Sequence, residues 1–132
     1  MTHPMSRGTI LVVDDNVDIP GFAKRLLEIA GYTVITATDG HDGLRSYEEH
    51  QATIVLLLPD VVMPKINGFE LADRVLEMDS QKPVLLMSGN AGCNYRGLEC
   101  LAKPFQPTDL IEMVSRVLCE NVQSKKRAVS AA

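Results

Sequence analysis

Asp14, Asp15, Asp60, Ser88 and Lys103 are residues whose types could do chemistry together if the fold brings them to one place. Two carboxylates ~4 Å apart repel by roughly 4 kcal/mol at an effective dielectric near 20, and a third adds to the strain. Such a cluster needs a counter-charge, or some of its members must stay protonated. A hard divalent cation with oxygen ligands meets that need. Mg²⁺ in particular keeps waters that a phosphate can displace. The lysine would neutralise one phosphate oxygen and the hydroxyl would hydrogen-bond another. These parts suit phosphoryl transfer, where catalysis is mostly positioning and charge neutralisation. An aspartate carboxylate can serve as the accepting nucleophile. The sequence contains no P-loop, GxGxxG, HExxH or GxSxG motif, so rival phosphate-binding and hydrolase signatures are missing.

Five apolar segments end at or near these residues: 9–13, 32–37, 53–58, 83–87 and 98–102. The first and third are apolar on both faces, the pattern of strands buried in a parallel sheet. Helical patterns separate them. Asn16 is placed to cap a helix with Ile19, Phe22, Leu26 and Ile29 on its inner face, which Gly31 ends. Pro20 and Gly21 fall in its first turns, so it is expected to start late or bend. A weaker helix spans 39–50 with Leu44 and Tyr47 inward. After a loop over 59–68, another carries Phe69, Ala72, Val75 and Leu76. Residues 88–97 lack periodicity. Pro107 suits the first position of a final helix with Leu110, Ile111, Val114, Val117 and Leu118 on its stripe. Alternating βα units with buried strands imply an α/β fold, a doubly wound parallel sheet with helices on both faces. Ligands bind such sheets beyond the carboxyl ends of the strands. That is where the three aspartates, the serine and the lysine fall.

The bulk properties narrow the field further. A chain of 132 residues with 45% apolar content fits one domain and one packed core. Residues 1–8 read as a disordered segment, 9–122 as the domain and 123–132 as a flexible tail or linker stub. Net charge is −4 with both signs interspersed, which argues against direct nucleic-acid binding. Lys125, Lys126 and Arg127 read as part of a solvated tail. Cys93, Cys100 and Cys119 form no CxxC pair and there is no signal peptide, so reduced thiols and a cytoplasmic location are expected. No apolar run could span a membrane. His3, His41 and His50 share no ligand spacing and read as surface residues.

Four motifs together resemble the receiver domains of two-component signalling. They are Ile10-Leu-Val-Val-Asp-Asp-Asn16, Asp60-Val-Val-Met-Pro-Lys-Ile-Asn-Gly68, Leu86-Met-Ser-Gly89 and Ala102-Lys-Pro-Phe105. Each is weak alone; in this order, on successive strand ends, they are specific. The resemblance implies a flavodoxin-like five-stranded sheet of order 2-1-3-4-5, like that of chemotaxis regulators. It also implies a phosphorelay switch, a phosphoprotein with no catalytic activity beyond its own phosphorylation and dephosphorylation. Carried over by position, Asp60 is the phosphoacceptor, and Mg²⁺ is held by Asp15 directly, Asp14 largely through water, Asp60, and the backbone carbonyl of Val62. Ser88 senses the phosphoryl group and Lys103 bridges to it. The Lys103–Pro104 bond is expected to be cis, and Gly68 to give a tight turn before the third helix. The phosphoryl donor would be a histidine kinase or histidine phosphotransfer protein. Val62 and Asn90 sit where the family influences attacking water, and the apolar Val62 implies slow self-dephosphorylation.

Three departures stand out. Pro59 precedes the acceptor where the family has an apolar non-proline residue, and it removes a backbone donor. Cys100 takes the place of the switch aromatic, and as an isolated residue it reads as a small buried apolar group. The Ser88–Lys103 interval is about two helical turns short, so the fourth helix is expected to be shortened or irregular. These departures motivate one alternative, a pseudo-receiver binding module that signals without phosphorylation. An independent phosphohydrolase is a further rival. It would want an Asp-x-Asp, where this chain has Asp14-Asp15.

Overall fold

The computed structural model describes residues 6–16, 18–89 and 95–130, with side chains as far as residue 120. The elements run β1 (Thr9–Val13), α1 (Asp18–Ile29), β2 (Thr33–Ala37), α2 (Gly40–His50), β3 (Ile54–Pro59), α3 (Gly68–Met78), β4 (Leu85–Ser88), β5 (Glu99–Ala102) and α4 (Pro107–Ser130). β1 pairs with β2 and β3, and β4 with β5, all in parallel. Two isolated parallel bridges, Leu57 to Val84 and Asp60 to Met87, join β3 to β4. Together these give the order 2-1-3-4-5.

Strand side chains alternate between faces, and the core divides accordingly. Ile10, Val12, Leu56, Leu58, Leu85, Met87 and Leu101 face α1 and α4, meeting Ala23, Leu27, Leu110 and Val114. Leu11, Val13, Leu57 and Leu86 face α2 and α3, meeting Tyr47, Leu71, Ala72 and Val75. Both faces are therefore covered, as continuously apolar strands require.

The helices depart from expectation in phase and length. The buried residues of α1 are Pro20, Ala23 and Leu27. Of the expected stripe, Ile19 and Leu26 are only partly buried, Phe22 is exposed, and Ile29 is 84% exposed. Small residues at Pro20 and Ala23 let the helix approach the sheet, and Phe22 packs beside the Phe105 ring at 6.1 Å. Pro20 is the third residue of α1 and is tolerated there because its missing N–H needs no intrahelical partner. In α3 the inner face is Gly68, Leu71, Ala72 and Val75, with Phe69 and Leu76 at its margin. Among the described residues there is no helix between β4 and β5. Tyr95 to Leu98 forms instead a tight turn, closed by the Leu98 N–H to the Tyr95 carbonyl at 2.9 Å. Positive φ at both Arg96 and Gly97 matches a type I′ turn.

The helical backbone of α4 runs on to Ser130. Glutamine, lysine, arginine and alanine favour helix there, and no glycine or proline intervenes. At the other end, residues 6–8 are tied down. The Arg7 N–H donates to the Gly31 carbonyl at 2.9 Å and the Thr33 N–H to the Gly8 carbonyl at 2.9 Å. Among the described residues no helix is long and apolar enough to cross a membrane.

Tyr47 generates a stability prediction. It is fully buried, and its hydroxyl is the one buried side-chain polar atom among the described residues with no hydrogen-bond partner. Burial and the nearby Asp79 charge raise its pKa. A buried hydroxyl without a partner carries a desolvation cost. Tyr47→Phe is therefore expected to raise stability by about 1 kcal/mol, measured by urea denaturation. A loss of similar size would show the hydroxyl to be satisfied.

Candidate functional site

The register of the sheet assembles the acidic group. Val13 of β1 lies opposite Pro59 of β3. Asp14 and Asp60, each one residue further on, therefore leave the carboxyl edge side by side. The Asp60 N–H donates to the Val13 carbonyl at 2.8 Å, and the Asp14 N–H to the Ala37 carbonyl at 3.1 Å. Asp14 is fully buried and Asp60 is 7% exposed, while Asp15 faces solvent. One carboxylate oxygen from each of Asp14, Asp15 and Asp60 lies within 4.8 Å of the others. This hard oxygen donor set fits a divalent cation of the Mg²⁺ or Ca²⁺ kind.

Lys103 supplies the opposite charge. Its Nζ lies 2.6 Å from Asp14 Oδ2 and 3.3 Å from Asp60 Oδ1. The other Asp14 oxygen accepts the Asn16 N–H at 2.9 Å. The Lys103 N–H donates to the Ser88 carbonyl at 2.8 Å, and the Lys103–Pro104 peptide is cis. Ser88 is buried at the end of β4, one residue past Met87, which bridges Asp60. Burial raises the Asp60 pKa above the ordinary carboxylate value, and the Asp14 charge adds to this; Lys103 opposes both. For Lys103, burial pulls the ammonium down. The hydrogen bond and charge of Asp14, helped by Asp60, outweigh it and raise its pKa.

The segment after Asp60 is held from two sides. Gly68 opens α3 with its N–H on the Val61 carbonyl at 2.9 Å. A Cβ at Gly68 would sit 2.3 Å from the Asp60 carbonyl oxygen. Glycine is needed there for close approach, a different reason from the tight turn expected of it. The left-handed residue of this loop is Lys65, at φ 70°. Its ammonium lies 3.6 Å from Asp39, which caps α2 by accepting the Asp42 N–H at 2.8 Å. Asn67 caps α3 by accepting the Glu70 N–H at 2.9 Å. A Cβ at Gly40 would lie 2.3 Å from the Ile66 carbonyl oxygen, so the loop is pressed on the first turn of α2.

Asp14, Asp15, Asp60 and Lys103 thus come together as expected, with Ser88 on the adjoining strand end. Val62 lies two residues past Asp60 and is 72% exposed. Cys100 is half-buried on β5 against the α2–α3 side of the core. His41 and His50 are exposed. Asn90, Cys93 and His3 lie outside the described residues, as do the side chains of Lys125, Lys126 and Arg127. The sequence reading missed two groupings. One is the Lys65–Asp39 pair, which leaves no signal in the sequence because its members lie on different elements. The other joins Tyr95 and Arg96 to Asp73 of α3. The Tyr95 hydroxyl and an Arg96 Nη each donate to Asp73 at 2.6 Å, and the Tyr95 ring stacks on Phe69 at 4.4 Å.

The electrostatics give a testable stability effect. Because the Asp60 pKa is raised, folding disfavours its ionised form. The cost is absent below the ordinary value of 3.8 and is fully developed once pH exceeds the raised value. Asp60→Asn removes the charge at nearly constant shape. It is expected to be more stable than the wild type at pH 7, by on the order of 1 kcal/mol. That advantage should shrink to nothing as pH falls toward 3.8, in urea melts of both proteins. An Asn variant less stable at pH 7 would show that Asp60 is held by net attraction.

Comparisons with known proteins point to one family. The sequence model of the response regulator receiver domain matches residues 10–115. Among curated relatives, the transcriptional regulatory protein PrrA of Mycobacterium tuberculosis is 34% identical over 116 residues, covering 83% of this chain and 49% of PrrA. The chain spans about half the length of the curated relatives it matches. Those relatives are transcriptional regulators, which stands against the expectation of no direct nucleic-acid contact; that expectation rests on the charge of these 132 residues alone. Among solved structures, the receiver domain of the hybrid histidine kinase CckA has a TM-score of 0.75 and 37% identity, covering 84% of this chain and 99% of that one. A CheY-like receiver domain protein of Methanospirillum hungatei has a TM-score of 0.80 and 28% identity, covering 90% and 99%. With the family's motifs on the strand ends and its model matched across most of the sequence, this chain belongs to the response regulator receiver domains of two-component signalling.

Proposed function

We propose that the chain is a phospho-accepting switch in which Asp60 takes a phosphoryl group from phosphohistidine on a histidine kinase or histidine phosphotransfer protein. The observation that carries this reading is one ammonium, Lys103, seated against two buried carboxylates at the carboxyl edge, with a third carboxylate within reach. Asp14, Asp15 and Asp60, with the Val62 carbonyl, are the groups that would hold Mg²⁺. Bound there, Mg²⁺ supplies positive charge against the acidic cluster and the transferring phosphoryl group. An Asp60 carboxylate oxygen attacks phosphorus in line as the P–N bond breaks, and the electron pair leaves with the imidazole. Lys103 takes up charge on one phosphoryl oxygen and the Ser88 hydroxyl donates to another. Water later attacks the acyl phosphate and releases inorganic phosphate. The new charge at the sheet edge biases the surface presented to a downstream partner.

Acetyl phosphate with Mg²⁺ is the direct test. Intact-mass spectrometry is expected to show one phosphoryl group on the wild type and none on Asp60→Ala. Lys103→Ala should be labelled at least about ten-fold more slowly, since a charge-stabilising donor to the transferring group is lost. Labelling of Asp60→Ala at the wild-type level would reject the assignment. A wild type that neither binds Mg²⁺ nor takes up phosphate would favour a phosphorylation-independent module.

Lifetime gives a second check. Val62 offers attacking water no side-chain hydrogen bond, so the acyl phosphate is expected to persist for minutes or longer once acetyl phosphate is removed. Decay within seconds would contradict that role for Val62.

A further inference from the structure

In β3, alternate backbone amides point to opposite neighbours. The Asp60 N–H faces β1, donating to Val13. The Leu57 N–H donates across to the Pro83 carbonyl at 3.0 Å, and the Val61 N–H to the Met87 carbonyl at 2.8 Å. Residue 59 lies midway between them, in the set that faces β4, and it is proline. It has no N–H to give the Leu85 carbonyl that lies midway between Pro83 and Met87. The pairing of β3 with β4 is correspondingly reduced to the two isolated bridges at Leu57 and Asp60, whereas β1–β2 and β4–β5 are continuous ladders and β1–β3 is unbroken from Ile10 to Val13, after a register shift at Thr9. Central strands exclude proline for this reason.

The interruption divides the functional group as well as the sheet. Asp14, Asp15 and Asp60 belong to the β2–β1–β3 unit. Ser88 and Lys103 belong to the β4–β5 unit, where the Lys103 N–H is fixed to the Ser88 carbonyl. The two units share the apolar packing of Leu56 and Leu58 with Leu85 and Met87. Across the carboxyl edge, the described side-chain ion pairs between them are those of Lys103 with Asp14 and Asp60.

We infer that Pro59 makes the β3–β4 boundary a slip plane, with Lys103 as the charged strap across it. Whatever changes the charge balance of Asp14 and Asp60 then loosens or tightens the β4–β5 unit as a body. Proteins open in such cooperative units, which often coincide with supersecondary motifs. The inference rests on backbone pairing and on the ion pairs. It does not require phosphoryl transfer, so it can fail or stand independently of that reading.

Amide hydrogen exchange on the full chain, without added metal or phosphate, tests it. The Leu57 and Val61 amides on the seam are expected to exchange at least about ten-fold faster than those of Leu11 and Val12 in the middle of β1. Pro59→Val and Pro59→Ala restore the missing donor, with and without added bulk, and should close that gap. Lys103→Met should widen it by speeding the seam amides while those of β1 keep their rates. The ratio within each protein removes changes in global stability. Equal rates in the wild type, a gap that survives both proline substitutions, or seam amides indifferent to Lys103→Met would each overturn the inference. Should a proline variant fail to fold, the wild-type ratio and Lys103→Met decide the matter.

Discussion

The reach of the Lys103 ammonium to Asp14 and Asp60 is the interaction on which the functional edge depends. Two carboxylates taken out of water side by side repel each other and lose hydration. One ammonium at 2.6 and 3.3 Å offsets both. It does so incompletely for Asp60, whose pKa stays raised by burial and by the Asp14 charge. The edge is therefore left short of positive charge. A divalent cation would complete it, and a phosphoryl group would have to bring such a cation or share the lysine.

Holding that imbalance in place takes backbone more than side chains. Parallel register sets Asp14 beside Asp60 without either side chain contributing to the alignment. The loop after Asp60 is fixed by glycines at its two contacts, Gly68 against the Asp60 carbonyl and Gly40 against the Ile66 carbonyl. A methyl group at either point would drive a backbone oxygen out of position, so these are exclusions of volume in which φ plays no part. Lys65 accepts the left-handed conformation in the same loop, and its ion pair with Asp39 ties the loop to the cap of α2.

Just ahead of β5, Tyr95 to Leu98 form a tight turn, and Cys100 lies half-buried on the strand itself. The Tyr95 ring stacks on Phe69 and its hydroxyl binds Asp73, so α3 holds this segment directly. Phe69 follows Gly68, the residue pressed on the Asp60 carbonyl. The loop after Asp60 and the turn at Tyr95 are thus joined through adjacent residues of α3.

The order of elements, the parallel sheet, the cis bond at Pro104 and the membership of Asp14, Asp15, Asp60 and Lys103 in one site were all legible in the sequence. The elements and the sheet follow from local pattern, the clustering of the charged residues from their place at strand ends, and the cis bond from the resemblance to receiver domains. The phase of α1 was not legible. Its apolar residues suggest a stripe through Phe22 and Ile29, yet the sheet takes the small residues Pro20 and Ala23 because close approach buries more strand surface. The Lys65–Asp39 and Tyr95–Asp73 pairs were hidden for a related reason, since ion pairs between distant elements leave no periodic trace. Pro59 belongs to both levels. The sequence alone shows that a donor is missing. Only the tertiary pairing decides that the missing donor faces β4 rather than β1, because strand register determines which neighbour each amide meets.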